Sequence, residues 1–216
     1  MEPSPWRLVT VDIDGTLTRG HGWRPIAEGF GRLPEFEQTN RRFFAHEIGE
    51  DEHIANLLDL ACGHSISEVL AIVAATPKID GIREGVRDLR STGASVALLT
   101  HNPDYVAAWY RDTFGFDEFD STFGQREVAG RLGHPEAVHA DKLLGLERLL
   151  GRPGRSARST VHVGDGWSDA LVFPRVGGGI ALNSKLPEVE RAADLVLHAV
   201  DFREVARAIR SLRPRA

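Results

Sequence analysis

Asp12 and Asp14 stand one residue apart at the end of the apolar run "LVTV", and Asp165 and Asp169 recur in the stretch "GDGWSD". Acids that converge without cations repel one another and raise each other's pKa values, so a gathering of three or more implies a hard divalent cation. Mg²⁺ suits such a set, because it prefers oxygen ligands and water and usually binds beside a phosphate. Thr100 follows a second apolar run, and Lys142 lies near the start of a helical stretch. Each residue alone admits a plainer role. Asp12 and Asp14 could cap a helix or form a turn, Thr100 in "THNP" could begin a helix, and Lys142 could be a solvated helix position.

These residues need elements that hold them together. Leu8 to Val11 is short, apolar and β-branched, which suits a parallel strand buried on both faces. The runs 94–100, 159–165, 177–183 and 193–198 read the same way, and helical patterns cover 82–91, 103–113, 140–150, 169–173 and 202–212. The alternation predicts an α/β fold: a Rossmann-like, three-layer core with a parallel sheet and helices on both faces. Ligands bind beyond the carboxyl ends of such strands, which is where Asp12, Asp14, Thr100 and Asp165 fall. Residues 19–76 break the rhythm with helix-like segments at 24–31, 33–47, 51–60 and 65–75 and no convincing strand. Gly63 could end one of these helices, and Ser65 with Glu68 fits a capping box for the next. The expected organisation is a core of 1–18 and 77–216 with a small α-helical cap, 19–76, inserted after the first strand.

Bulk composition narrows the function further. The chain has 216 residues, 42% hydrophobic and 26% charged, as in an ordinary globular protein. A net charge of -5 argues against a nucleic-acid surface, and no run approaches the roughly 18 apolar residues of a membrane span. One cysteine, Cys62, allows no internal disulfide, and the N-terminus lacks a basic, apolar leader; a cytoplasmic protein is expected. The nine histidines are scattered without metal-binding spacing, and "VGGGIAL" is too weak a signal for a dinucleotide site.

The order Asp12-Ile13-Asp14-Gly15-Thr16, Thr100, Lys142 and Gly164-Asp165-Gly166-Trp167-Ser168-Asp169 resembles the haloacid dehalogenase (HAD) superfamily of phosphatases. That resemblance implies a phosphomonoester hydrolase with Asp12 as nucleophile and Asp14 as general acid and base; dehalogenating members lack the second acid. It further implies Thr100 and Lys142 as catalytic partners, and Mg²⁺ held by Asp12, the Asp14 carbonyl and Asp165. Asp169 would support the metal shell or orient Lys142. Gly15, Thr16, His21, His101 and Asn102 would contact a small phosphorylated metabolite, phosphoserine or a similar compound first among the candidates, and a homodimer is one assembly this reading allows. The same chemistry also serves phosphotransferases and phosphomutases, and a non-catalytic binding module is the remaining alternative.

The motif distribution is similar to that of the phosphoserine phosphatase subgroup, whose helical cap lies between the first and second motifs. Members of that subgroup resemble one another in carrying an early cap glutamate for the substrate amine and a cap arginine for its carboxylate. Here "RGHGW" puts His21 at the early position, and Thr100-His101-Asn102 replaces the subgroup's Ser-Gly-Gly. Trp23, Arg24, Arg41, Arg42 and His46 join His21 as cap residues that could select a substrate.

Overall fold

The computed structural model describes residues 5–123, 125–136 and 141–215. β1 (Leu8–Val11) is buried along its length because its alternating side chains enter two different cores: Val9 and Val11 on one face of the sheet, Leu8 on the other. After it come α1 (Trp23–Gly29), α2 (Leu33–Phe44), α3 (Glu50–Asp59) and α4 (Ile66–Ala75). The chain then alternates through α5 (Ile82–Arg90), β2 (Ser95–Pro103), α6 (Asp104–Phe114) and β3 (Glu118–Phe123). A small hairpin, β4 (Glu127–Val128) and β5 (Arg131–Leu132), precedes α7 (Lys142–Leu150), β6 (Thr160–Gly164) and α8 (Trp167–Val172). The last elements are β7 (Gly178–Leu182), α9 (Pro187–Ala192), β8 (Leu195–Leu197) and α10 (Phe202–Ser211).

Six strands form one parallel sheet in the order β3-β2-β1-β6-β7-β8. The strand order reverses between β1 and β6, where Val9 pairs with Val161 and Val11 with Val163. In a doubly wound sheet that reversal opens a crevice at the carboxyl edge. Asp12 and Asp165 sit at its two sides.

Helices cover both faces. Ile82, Val86, Val106, Tyr110, Phe202 and Val205 pack with Val9 and Val11, while Leu146 and Leu149 of α7 and Val172 of α8 pack with Leu8 and Leu99. Helices α1–α4 bury Trp23, Ile26, Phe36, Leu57 and Val69 into the same cluster as Val9 and Val11. Their apolar faces are therefore continuous with the sheet core. The expected capping box is formed: Ser65 Oγ accepts from the Glu68 amide at 3.2 Å, and Glu68 Oε2 accepts from the Ser65 amide at 2.7 Å.

Two further contacts tie α1–α4 to the sheet domain. The hairpin docks through Gly63 N to Leu132 O at 2.8 Å and Leu132 N to His64 O at 2.7 Å. Trp167 at the start of α8 packs against Phe43 and Phe44 at the end of α2, with ring centroids 5.2 and 5.5 Å apart. No helix among the described residues is long and apolar enough to cross a membrane.

The differences from expectation are local. β2 continues past Thr100 to Pro103, with a shift in its register on β3, so "THNP" extends a strand and the helix begins at Asp104. β3, the hairpin and α9 are additional elements. The helix expected over 140–150 starts at Lys142, and Ala140 lies outside the described residues.

Candidate active site

The pairing of β1 carries one residue past Val11, because the Asp12 amide donates to Val163 O at 2.9 Å. The Asp12 carboxylate then meets the ammonium of Lys142, with Nζ 3.0 Å from Oδ1. Lys142 is the first residue of α7, and its position is fixed by Asp141, whose side chain caps the helix by accepting from the Leu143 and Leu144 amides. The Lys142 side chain is 3% exposed, and it also donates to Asp169 Oδ1 at 2.6 Å.

Asp169 is saturated. Besides Lys142 it accepts from His162 Nε2 at 2.8 Å, from the Asp165 amide at 3.1 Å and from the Gly166 amide at 2.9 Å. His162 in turn lies 2.9 Å from Thr10 Oγ1 through its Nδ1. A buried polar chain therefore runs from Thr10 in β1 through His162 in β6 to Asp169, Lys142 and Asp12. Its members brace one another, because leaving any one unpaired in this interior would cost about 1–3 kcal/mol.

Asp14 occupies the other side. Asn102 Nδ2 donates to Asp14 Oδ2 at 3.1 Å, and the same nitrogen lies 3.2 Å from Thr100 Oγ1. Thr100 Oγ1 also accepts the Asn102 backbone N–H at 3.2 Å. The Gly22 amide is a further donor to Asp14, and the approach needs a glycine: a Cβ there would stand 2.0 Å from Asp14 Oδ1. Gly15 is constrained likewise, with φ at +74° and a Cβ position 2.1 Å from Asp165 Oδ2.

Asp12, Asp165 and Asp169 bring carboxylate oxygens within 4.8 Å of one another. Burial raises Asp12 to about 6; Lys142 opposes the shift, and the charges of Asp169 and Asp14 add to it. Burial likewise raises Asp14 to about 6, against the hydrogen bond from Asn102. Asp165 is pushed well above the usual carboxylate range by burial and then by Asp12 and Asp169. For Asp169, burial is outweighed by Lys142 and His162, and the carboxyl is held below its ordinary value. Burial would free the Lys142 proton, but Asp12 and Asp169 hold the ammonium above its ordinary pKa.

One lysine thus faces several buried acids, and Asp169 has spent its oxygens on other donors. Asp12 and Asp165 are left short of positive charge. An all-oxygen donor set with that deficit fits a hard divalent cation.

A cavity of about 830 Å³ opens above these groups. Asp12, Asp14, Gly15, His21, Thr100, His101, Asn102, Lys142, Asp165 and Asp169 all line it. Thr16 differs from the sequence expectation: it is buried, outside the cavity lining, and donates its hydroxyl to Asp165 Oδ1 at 3.2 Å. Asn102 is turned to Asp14 and Thr100. Among the cap candidates Trp23 lines the cavity, whereas Arg24, Arg41, Arg42 and His46 do not. Thr10 and His162 were missed by sequence reasoning; their only signal is a polar side chain inside an otherwise apolar strand. Glu50, paired with His101 at 3.4 Å across the cavity wall, left no signal at all.

The profile of haloacid dehalogenase-like hydrolases matches residues 6–177. The chain belongs to that family. Among curated proteins, a phosphoserine phosphatase of Archaeoglobus fulgidus is 27% identical over 83% of this chain, which spans 53% of that relative's length. The phosphoserine phosphatase of Wolinella succinogenes is 25% identical over 92% of this chain and 98% of its own. Among solved structures, a phospho-aspartyl intermediate analogue of phosphoserine phosphatase superposes with a TM-score of 0.81 at 22% identity, covering 94% of this chain and 98% of that one. A phosphoserine phosphatase from T. onnurineus covers 99% of both chains with a TM-score of 0.72 at 25% identity. The family match spans the strand segments that carry Asp12, Thr100 and Asp165, the start of α7 with Lys142, and the helices α1–α4.

Proposed function

We propose that this HAD-family hydrolase is a Mg²⁺-dependent phosphomonoester hydrolase, cytoplasmic, acting on a small phosphorylated metabolite through a phosphoryl group carried on Asp12. The observation that carries the reading is the convergence on one cavity of Asp12, held 3.0 Å from Lys142, and Asp14, held 3.1 Å from Asn102. Burial fits Asp14 to the acid role, since a carboxyl raised to about 6 can be protonated when it must donate; Asp12 is raised as far, and what sets it apart is the Lys142 ammonium beside it. The assembled nucleophile and lysine also speak against a non-catalytic module.

In the proposed cycle an Asp12 oxygen attacks phosphorus, the ester P–O bond breaks, and Asp14 gives its proton to the leaving alkoxide. Asp14 then takes a proton from water as that water attacks the aspartyl-phosphate, which releases phosphate and restores the Asp12 carboxylate. The Thr100 hydroxyl oxygen already accepts from Asn102, which leaves its proton for a phosphoryl oxygen. Lys142 offsets charge on Asp12 and on the transferring group. Asp169 keeps Lys142 in place. Mg²⁺, held by Asp12, Asp165 and the Asp14 carbonyl, would draw charge from the phosphoryl oxygens when bound.

The segment 19–76 would act as a cap over this site. Asp12→Asn tests the reading: hydrolysis of p-nitrophenyl phosphate should vanish while the circular dichroism spectrum is unchanged. Retained turnover in a folded variant removes Asp12 from the nucleophile role.

A further inference from the structure

The organic half of the substrate can be read from the rest of the cavity, an inference that rests on the phosphomonoesterase reading above. Above the acidic floor, the wall is built by Trp23, Phe43, Ile54 and Leu57 from α1–α3, and by Trp167 and Leu186 from the sheet domain. The mouth adds Phe44 and Val200, 54% and 64% exposed. The cavity of about 830 Å³, which includes the space over the acidic floor, lies in the upper part of the range that encloses drug-sized molecules.

The charges point the same way. Three arginines of α1–α2 and the loop between them are turned outward into surface ion pairs: Arg24 with Glu28 and Glu37, Arg32 with Glu35 and Asp59, Arg42 with Glu47 and Glu52. None of them lines the cavity. The polar groups that do enter from 19–76 include the carboxylate Glu50 and the imidazoles His21 and His53. Burial lowers both imidazoles to about 4, so they offer uncharged hydrogen-bonding groups at neutral pH. His21 Nδ1 accepts from the Trp23 amide at 3.3 Å, which leaves Nε2 as its donor. Three lysine or arginine side chains line the cavity among the described residues: Lys142 is held by Asp12 and Asp169, Arg19 at the start of 19–76 is engaged by Asp80 and the Lys78 carbonyl, and Lys185 is an exposed side chain after β7. A substrate carboxylate would have to leave water for an aromatic wall that already holds Glu50.

We infer that the site takes the phosphomonoester of a bulky, uncharged alcohol, an aromatic one foremost, and discriminates against substrates that carry a carboxylate. Aromatic faces supply contact area for a ring, and His21 and His53 can bond a hydroxyl or ring heteroatom on it.

The test compares kcat/KM of the wild-type enzyme with Mg²⁺ on matched esters. Benzyl phosphate is set against O-phosphoserine, and 4-carbamoylbenzyl phosphate against 4-carboxybenzyl phosphate, a near-isosteric pair that differs chiefly in charge. The inference expects at least tenfold preference for the uncharged member of each pair, expressed mainly in KM. Phe43→Ala should shrink the benzyl-to-phosphoserine ratio at least fivefold. Equal or better use of O-phosphoserine and the 4-carboxy ester overturns the inference, and loss of that use in Lys185→Ala would name Lys185 as the carboxylate's partner. If a folded enzyme hydrolyses neither these esters nor p-nitrophenyl phosphate, it is the phosphomonoesterase reading that fails.

Discussion

Asn102 couples the two halves of the proposed chemistry, since one side-chain amide reaches both the Asp14 carboxylate and the Thr100 hydroxyl. A hydrogen bond to a charged group contributes roughly 1.5–3 kcal/mol, so Asn102→Ala should lower kcat for an alkyl phosphate about 10- to 100-fold. The loss should be clearly smaller for an aryl phosphate, whose leaving group needs little protonation; equal losses would reduce Asn102 to a packing residue. Asp14→Asn should show the same asymmetry with a larger fall, on the order of a hundredfold or more. The individual acids were legible in the sequence because their motifs have fixed spacing. Asn102 was legible only as a neighbour of Thr100, because its true partner is 88 residues away. His162 and Thr10 were hidden for a similar reason: a polar residue in a buried strand declares its role only when the adjacent strand supplies the partner.

At the scale of elements, α7 delivers Lys142 from its first position, so in the proposed chemistry the cap of that helix would also support the site. Asp141→Ala should cost about 1 kcal/mol in urea unfolding and also lower kcat, because the first turn would fray where Lys142 is anchored. An unchanged kcat with the expected loss of stability would show that Asp12 and Asp169 alone hold the lysine. The central strands were readable because strands buried on both faces are continuous apolar runs. β3 was not, since "EFDSTF" lies at the sheet edge and Glu118 and Asp120 break the apolar run with ion pairs to Arg152, Arg155 and Arg148. The hairpin was also silent: its turn places Ala129 at φ 51° and Gly130 at φ 76°, and alanine gives none of the signal that Asn-Gly would. The helical character of 19–76 could be read from periodicity and the Ser65–Glu68 box, but not the way Phe43 and Phe44 meet Trp167, a contact across more than a hundred residues of chain.

For the molecule as a whole, the buried acids make stability depend on pH and metal together. Asp12 and Asp14 are raised to about 6 and Asp165 well above its ordinary value, so between about pH 4 and 6 the folded chain binds more protons than the unfolded one. These groups therefore remove stability as pH rises through that window. Asp169 has the opposite sign: its depressed pKa supplies stability above about pH 4 that is lost only in stronger acid. Mg²⁺ should consequently raise Tm much more at pH 7.5 than at pH 5, by the equivalent of about 2.7 kcal/mol at a hundredfold excess over its Kd. Calorimetry with EDTA and with Mg²⁺ at both pH values checks this, and an equal shift at the two would contradict the acidic metal site. EDTA should also silence turnover, and added Mg²⁺ restore it. The most direct test of the central claim is to quench the enzyme in acid during turnover of p-nitrophenyl phosphate and map its peptides by mass spectrometry. One phosphoryl group on Asp12 is expected; no covalent adduct under conditions of steady turnover, or an adduct on another residue, would rule out Asp12 as the nucleophile.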